Sequence, residues 1–304
     1  MKRIVLFVLS FLSLLTVSYG QFEEGFAPSE GVEIHYEIYG KGEPLLLVNG
    51  GPGFPSYYFR EIAKKLASDR QVIIFDQRGT GDSYLQTYDR STVNLKKMVA
   101  DIEALRTHLG IKKWDVMGHS FGGVLSMLYC AEHGDKVKKL VLSASGGMDL
   151  EFIKFMPANI QSRLNNQQTL EMERLNAQYQ KDQSNMKIHN QRFEILAWAY
   201  VYDKNKVKDA ALMLTEGNRF QYRVNQLVWK DLRAREYDVT QELKHFKQPV
   251  FIVHGRQDVI SESVAIKTHM NFPNSTLAFI NEASHYIWLD QEAEYLRLIH
   301  GFLK

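Results

Sequence analysis

The chain of 304 residues carries 37 Lys and Arg against 35 Asp and Glu, a net charge of +2. That balance offers no one-signed field to gather nucleic acid or an anionic bilayer, and clusters such as Lys136, Lys138 and Lys139 read as solvated faces. Apolar residues make up 45%, enough at this length for a sizeable core, and the one cysteine, Cys130, cannot close an intramolecular disulfide. Cys130 sits in an apolar helical run, so it reads as a packed residue and not a nucleophile.

In chain order, Lys2 and Arg3 precede an apolar run from Ile4 to Val17, and Ser18-Tyr19-Gly20 supplies small residues where a signal peptidase cuts. Residues 1–20 are therefore expected to be a signal peptide, with a mature chain from Gln21 in the periplasm or outside the cell. The run is short of the ~20 residues that span a bilayer, so no stable membrane span is expected after cleavage; the alternative is an uncleaved anchor.

Glu33 to Tyr39 alternates like a half-buried strand, and Leu45 to Val48 is a short apolar run like a buried one, ending in the loop Asn49-Gly50-Gly51-Pro52-Gly53. Tyr57 to Ala67 has helical spacing. Gln71 to Phe75 is a strand leading into Asp76-Gln77-Arg78-Gly79-Thr80-Gly81-Asp82-Ser83. A helix over Asn94 to Leu109, a strand at Trp114 to Met117, a helix over Phe121 to His133 and a strand at Lys139 to Ser143 follow. Such alternation predicts an α/β fold, a mostly parallel central sheet flanked by helices, with ligands beyond the carboxyl ends of its strands. The rhythm breaks over 147–239, which is rich in Gln, Asn, Met, Glu and aromatics, with helical spacing at Leu170 to Tyr179 and Phe193 to Tyr202. This segment reads as an inserted helical cap between core parts 21–146 and 240–304. The second part resumes with a strand at Pro249 to His254, a helix over Ser261 to Met270, a strand at Thr276 to Ile280 and a closing helix over Gln291 to Leu303.

Gly118-His119-Ser120-Phe121-Gly122 matches G-x-S-x-G directly after a strand and at the start of a helix, the setting in which a serine is exposed on a sharp turn. The helix N-terminus favours negative charge there. A serine nucleophile needs a base, and the base needs a carboxylate to fix its tautomer. With the order Ser, acid, His, the scan reaches Asp258 after the resumed strand and His285 after the next one. His119 and His254 read as structural. An oxyanion hole would use the backbone N–H of Phe121 and one from the early glycine loop, Gly51 first and Gly50 next. No H-E-x-x-H, cysteine pair or G-x-x-x-x-G-K-[ST] is present, so no metal or other cofactor is expected.

Together these motifs resemble the α/β-hydrolase superfamily in its proline iminopeptidase-like branch. The resemblance spans about Gly31 to Lys304 and rests on the Asn49 to Gly53 and Asp76 to Ser83 loops, Gly118 to Gly123, Gly255-Arg256-Gln257-Asp258 and Ala283-Ser284-His285. It implies the α/β-hydrolase fold and release of an N-terminal residue, often proline, from small peptides through an acyl-enzyme. Two positions depart from the branch: Asn49 stands where His is usual before GGPG, and His119 and Phe121 flank Ser120 where G-G-S-W-G is common. The second departure is also the usual esterase form, which leaves an esterase with the same three residues as the alternative; a silent fold used for binding is a third. An aminopeptidase of this kind holds the substrate ammonium with cap carboxylates. Glu194 and Glu216 are the candidates, against a reading of each as a solvated surface residue. Arg78, Asp76 and Asp82 read as braces of their loop.

Overall fold

The computed structural model describes residues 22–216 and 219–304, so the signal peptide expected over residues 1–20 lies outside the described residues. Eight strands form one sheet in the order β1-β2-β4-β3-β5-β6-β7-β8. They are β1 (Phe22–Ser29), β2 (Val32–Tyr39), β3 (Glu43–Val48), β4 (Arg70–Phe75), β5 (Trp114–His119), β6 (Val137–Ser143), β7 (Val250–Gly255) and β8 (Ser275–Ile280). β2 runs antiparallel to both β1 and β4, and the other pairs are parallel. The central strands are apolar over most of their length because both faces are covered. In β3, Leu45 and Leu47 join one core while Leu46 and Val48 join the other, as the two-residue period of a strand requires.

The sheet is flanked by α1 (Arg60–Leu66), α2 (Leu95–His108), α3 (Phe121–His133), α10 (Glu262–Asn271) and α12 (Glu292–Leu303). The helix read over Tyr57 to Ala67 begins as a 3₁₀ turn, Ser56–Phe59, after Pro55. Cys130 is buried in α3, and burial pushes its thiol well above its usual range. Between β6 and the short α9 (Thr240–Leu243) stand, among the described residues, five α-helices: α4 (Phe152–Gln161), α5 (Asn166–Lys181), α6 (Met186–Tyr200), α7 (Val207–Thr215) and α8 (Tyr222–Ala234). The two ends of this segment are stitched together. Asp149 and Asp238 form an isolated antiparallel bridge, and the Val239 N–H donates to the Met148 carbonyl at 2.9 Å. Among the described residues no helix is long and apolar enough to cross a membrane.

The Asp76 to Ser83 loop is a brace. Asp76 accepts from the Ser56 N–H at 2.7 Å, the Ser56 hydroxyl at 2.9 Å, the Asp82 N–H at 2.9 Å and His35 Nδ1 at 3.0 Å. Arg78 is buried and donates to both oxygens of Asp101 and to the Thr92 carbonyl. Burial alone would depress the His35 pKa, but hydrogen bonds to Asp76 and Glu24 outweigh it and push it up to about 9. A pKa raised on folding adds stability that is complete below the unfolded value, near 6.5, and is lost as pH rises through 9. Asp76, held below its usual range despite burial, keeps its charge throughout that window. Glu24 is half exposed, so solvent screens its share. Wild-type protein is therefore expected to lose on the order of 2 kcal/mol between pH 6.5 and 9.5, and a His35→Gln variant to show a flat profile there in denaturant titrations. Parallel profiles would refute this.

Candidate active site

Ser120 stands between β5 and α3 with φ 55° and ψ −123°, a conformation that L-residues rarely adopt. Close packing explains the flanking glycines. A Cβ on Gly118 would meet the Gly122 carbonyl oxygen at 2.4 Å, and one on Gly122 would meet the Val48 carbonyl oxygen at 2.0 Å. The turn is therefore pressed against β3 as well as folded on itself. The Ser120 N–H donates to the Ser143 carbonyl at 3.1 Å, and the Ser120 carbonyl accepts from the N–H groups of Gly123 and Gly146, each at 3.0 Å.

Ser120 opens onto a cavity of about 520 Å³ between the sheet edge and the five helices, which Phe121, Gly50, Gly51 and His285 also line. His285 Nδ1 lies 2.9 Å from Asp258 Oδ1, and both side chains are buried. Burial disfavours a charged Asp258, yet His285 and His254, with hydrogen bonds from His285 and Ile260, hold it below the usual carboxylate range. A carboxylate can only accept, so Nδ1 carries the imidazole proton and Nε2 is left able to take one. The structure thus brings Ser120 and His285 to one cavity, with Asp258 buried behind His285.

The helical segment fastens both loops. Arg163 donates to the carbonyls of Gln257 and Asp258, each at 2.7 Å, and Asn159 Nδ2 donates to the Val259 carbonyl at 3.0 Å. The Ser284 hydroxyl donates to the Ala199 carbonyl at 2.8 Å, and the Tyr286 N–H to the Tyr200 carbonyl at 3.0 Å.

Gly50 approaches Ser120 so closely that a Cβ there would lie 2.7 Å from the serine Cβ, and Gly51 has φ +53°. Asn49 is buried and braces this loop: its Nδ2 donates to the Phe54 carbonyl at 2.9 Å, and its carbonyl accepts from Gln77 Nε2 at 2.8 Å. His254 is buried, with Nε2 at 2.9 Å from the Ile260 carbonyl. His119 is buried too, but its ring does not stand apart from the base: the His119 and His285 ring centroids are 4.7 Å apart. Burial, and secondly the neighbouring His285, hold His119 well below its usual range, so it is neutral, and its Nδ1 donates to the Ser143 carbonyl at 3.1 Å.

The structure does not bring Glu194 or Glu216 to the cavity. Both are exposed and neither lines it. Glu194 stands two residues after Arg192 on α6, about 200° round the helix from the lining face. Glu216 lies just past α7, where its backbone carbonyl accepts from the Tyr57 hydroxyl. The cavity's charged side chains, histidines aside, are Glu173 and Arg192. Sequence reasoning missed both, although the spacing held a signal. Thr169, Met172, Glu173, Asn176 and Tyr179 make one helical stripe on α5, and His189, Arg192, Phe193, Leu196 and Tyr200 another on α6.

A mostly parallel sheet with a serine on a strained strand-to-helix turn and an Asp–His pair on later loops defines a class, and the comparisons agree. The α/β-hydrolase fold family matches residues 43–292, so the chain belongs to that family and is a hydrolase. The proline iminopeptidase of Lactobacillus acidophilus is 26% identical over 299 residues, covering 92% of this chain and 97% of its own. Among solved structures, an α/β fold family hydrolase from Bacillus anthracis superposes with a TM-score of 0.74 at 20% identity, over 92% of this chain and 99% of its own. The esterase EaEST from Exiguobacterium antarcticum does so with a TM-score of 0.71 at 18% identity, over 91% and 98%. At such identities these two structures speak for the fold alone.

Proposed function

We propose that this protein is a serine hydrolase that releases the N-terminal residue of short peptides through an acyl-enzyme on Ser120. The observation that carries the chemistry is the strained Ser120 at the floor of the cavity that His285 lines, with His285 held by Asp258 at 2.9 Å. His285 takes the Ser120 proton as the hydroxyl attacks the substrate carbonyl. The backbone N–H of Phe121 and that of Gly51 or Gly50 receive the oxyanion. His285 then protonates the leaving amine, and water repeats the cycle on the acyl-enzyme. The peptidase reading is supported by the proline iminopeptidase relative, which matches over nearly the whole of both chains. Export by the leader pattern of residues 1–20 is part of the proposal.

With Glu194 and Glu216 outside the cavity, the carboxylate available to a substrate ammonium is Glu173. The absence of the two expected acids from the cavity lining is the observation that favours an esterase as second reading. Rates on prolyl and alanyl p-nitroanilides, their N-acetyl counterparts and a short-chain p-nitrophenyl ester decide between the two. Preference for anilides with a free amine supports the peptidase; ester turnover alone would overturn it. In the peptidase, Glu173→Gln is expected to lower the anilide-to-ester ratio of kcat/KM by about 10-fold or more, the scale of a charge-assisted hydrogen bond. An unchanged ratio would remove Glu173 from that role.

A further inference from the structure

Arg192 is unusual among the chain's cations. It projects from α6 into the substrate cavity and is half-buried. Its Nε donates to Asn176 Oδ1 at 2.8 Å, and its guanidinium lies 4.2 Å from the centre of the Tyr179 ring. Neither neighbour is a carboxylate, and neither Nη nitrogen has a hydrogen-bond partner among the described residues. Arg78 and Arg70, buried elsewhere, each face an aspartate at hydrogen-bond distance. Burial pulls the Arg192 pKa down and only Tyr179 acts against it, so the charge sits partly desolvated and unmatched. Asn176 and Tyr179 hold the planar group from one edge and one face, which leaves its two-pronged Nη edge for a ligand. That edge matches a carboxylate in a bidentate pair.

Position fixes where such a carboxylate would sit. Tyr200 lies on the same lining stripe, and its ring centroid is 4.6 Å from that of His285. Arg192 is eight residues earlier on α6, about 12 Å along the axis at ~1.5 Å per residue. A peptide extends roughly 3.3–3.6 Å per residue, so that span is about three residues measured from the carbonyl under attack.

We propose that Arg192 selects substrates that carry a carboxylate on the order of 10 Å from the scissile carbonyl. The inference rests on the peptidase reading of the same cavity. At that distance the carboxylate is the free C-terminus of a short peptide, with about three residues after the cleaved bond; the side chain of an acidic N-terminal residue ends only about 5 Å from its own carbonyl.

The first arm of the test compares kcat/KM for Pro-Gly-Gly-Gly with that of its C-terminal amide. The second compares glutamyl with glutaminyl p-nitroanilide. Wild-type enzyme is expected to favour the carboxylate in the first arm by about 10- to 100-fold, the range of a charge-assisted pair, and to show a ratio near one in the second, where the carboxylate falls short of Arg192. Arg192→Gln is expected to bring that ratio to about one, and Arg192→Lys to keep part of it. Because each result is a ratio on one preparation, a general loss of folded enzyme cancels. A ratio near one in the first wild-type arm, a preference confined to the second arm, or a preference that survives Arg192→Gln would overturn the inference while turnover of prolyl p-nitroanilide leaves the peptidase reading standing. Failure to cleave any anilide or peptide, with the ester still turned over, would overturn the reading and the inference together.

Discussion

Ser120→Ala is expected to lower kcat by roughly four to six orders of magnitude while the protein stays folded. The size follows from removing the atom that forms the acyl bond; what remains is binding and whatever the oxyanion donors do for a water. Folding should survive because what holds Ser120 in place is backbone. Its N–H goes to the Ser143 carbonyl, and its carbonyl receives the N–H groups of Gly123 and Gly146. Alanine keeps all three bonds and the same strain at φ 55°. Ser120→Gly separates strain from chemistry. It is equally inactive, but it relieves a conformation that costs an L-residue about 1–3 kcal/mol, so it should melt several degrees above the alanine variant. Turnover of an activated ester or anilide by purified Ser120→Ala, within tenfold of wild type, would remove Ser120 from the mechanism. Equal melting points for the two variants would show that the surrounding bonds, and not the strain, set the local energy.

The parts of this site that were legible in the sequence are those whose chemistry is local. G-x-S-x-G announces a turn because glycine alone fits against the Val48 carbonyl and the turn's own backbone. The strands β3 to β7 were legible because burial on both faces gives each a short, mostly apolar run. β1 was not. Phe22–Ser29 is mostly exposed, contains Gly25 and Pro28, and buries only Ala27, so nothing in its pattern separates it from a loop. It exists through pairing with β2 along its whole length, and Pro28 is tolerated because the strand is at an edge. The cap acids failed for a different reason. Glu194 has aromatic neighbours in sequence, Phe193 and Trp198, but on a helix the neighbour in sequence is not the neighbour in space. The residues that share its turn's inner face are Arg192, Phe193 and Leu196. Reading α5 and α6 by stripe would have named Glu173 and Arg192.

Asp258→Asn is expected to lower kcat by roughly 10³- to 10⁴-fold with little change in KM, because Asp258 is buried and does not line the cavity. Asp258 Oδ1 accepts from the Ile260 N–H at 2.9 Å and from His285 Nδ1 at 2.9 Å, whereas Oδ2 is buried without a hydrogen-bond partner among the described residues. His254 Nε2 is 3.8 Å from Oδ2 and is engaged with the Ile260 carbonyl. An asparagine of the same shape has two ways to sit. With its oxygen toward His285 it keeps the hydrogen bond but loses the charge that stabilises the imidazolium, and its NH₂ faces the site where Oδ2 already lacked a partner. With its NH₂ toward His285 it forces the proton onto Nε2, the nitrogen that must accept from Ser120, and sets a donor against the Ile260 N–H. The first pose keeps the hydrogen bonds from His285 and the Ile260 N–H, so the variant should fold; each pose removes what makes His285 a base. Kinetics on the p-nitrophenyl ester and on the prolyl anilide should fall together, since the loss precedes any choice of substrate. A fall confined to one substrate, or activity within tenfold of wild type, would show that His285 does not depend on Asp258 and that its partner lies elsewhere.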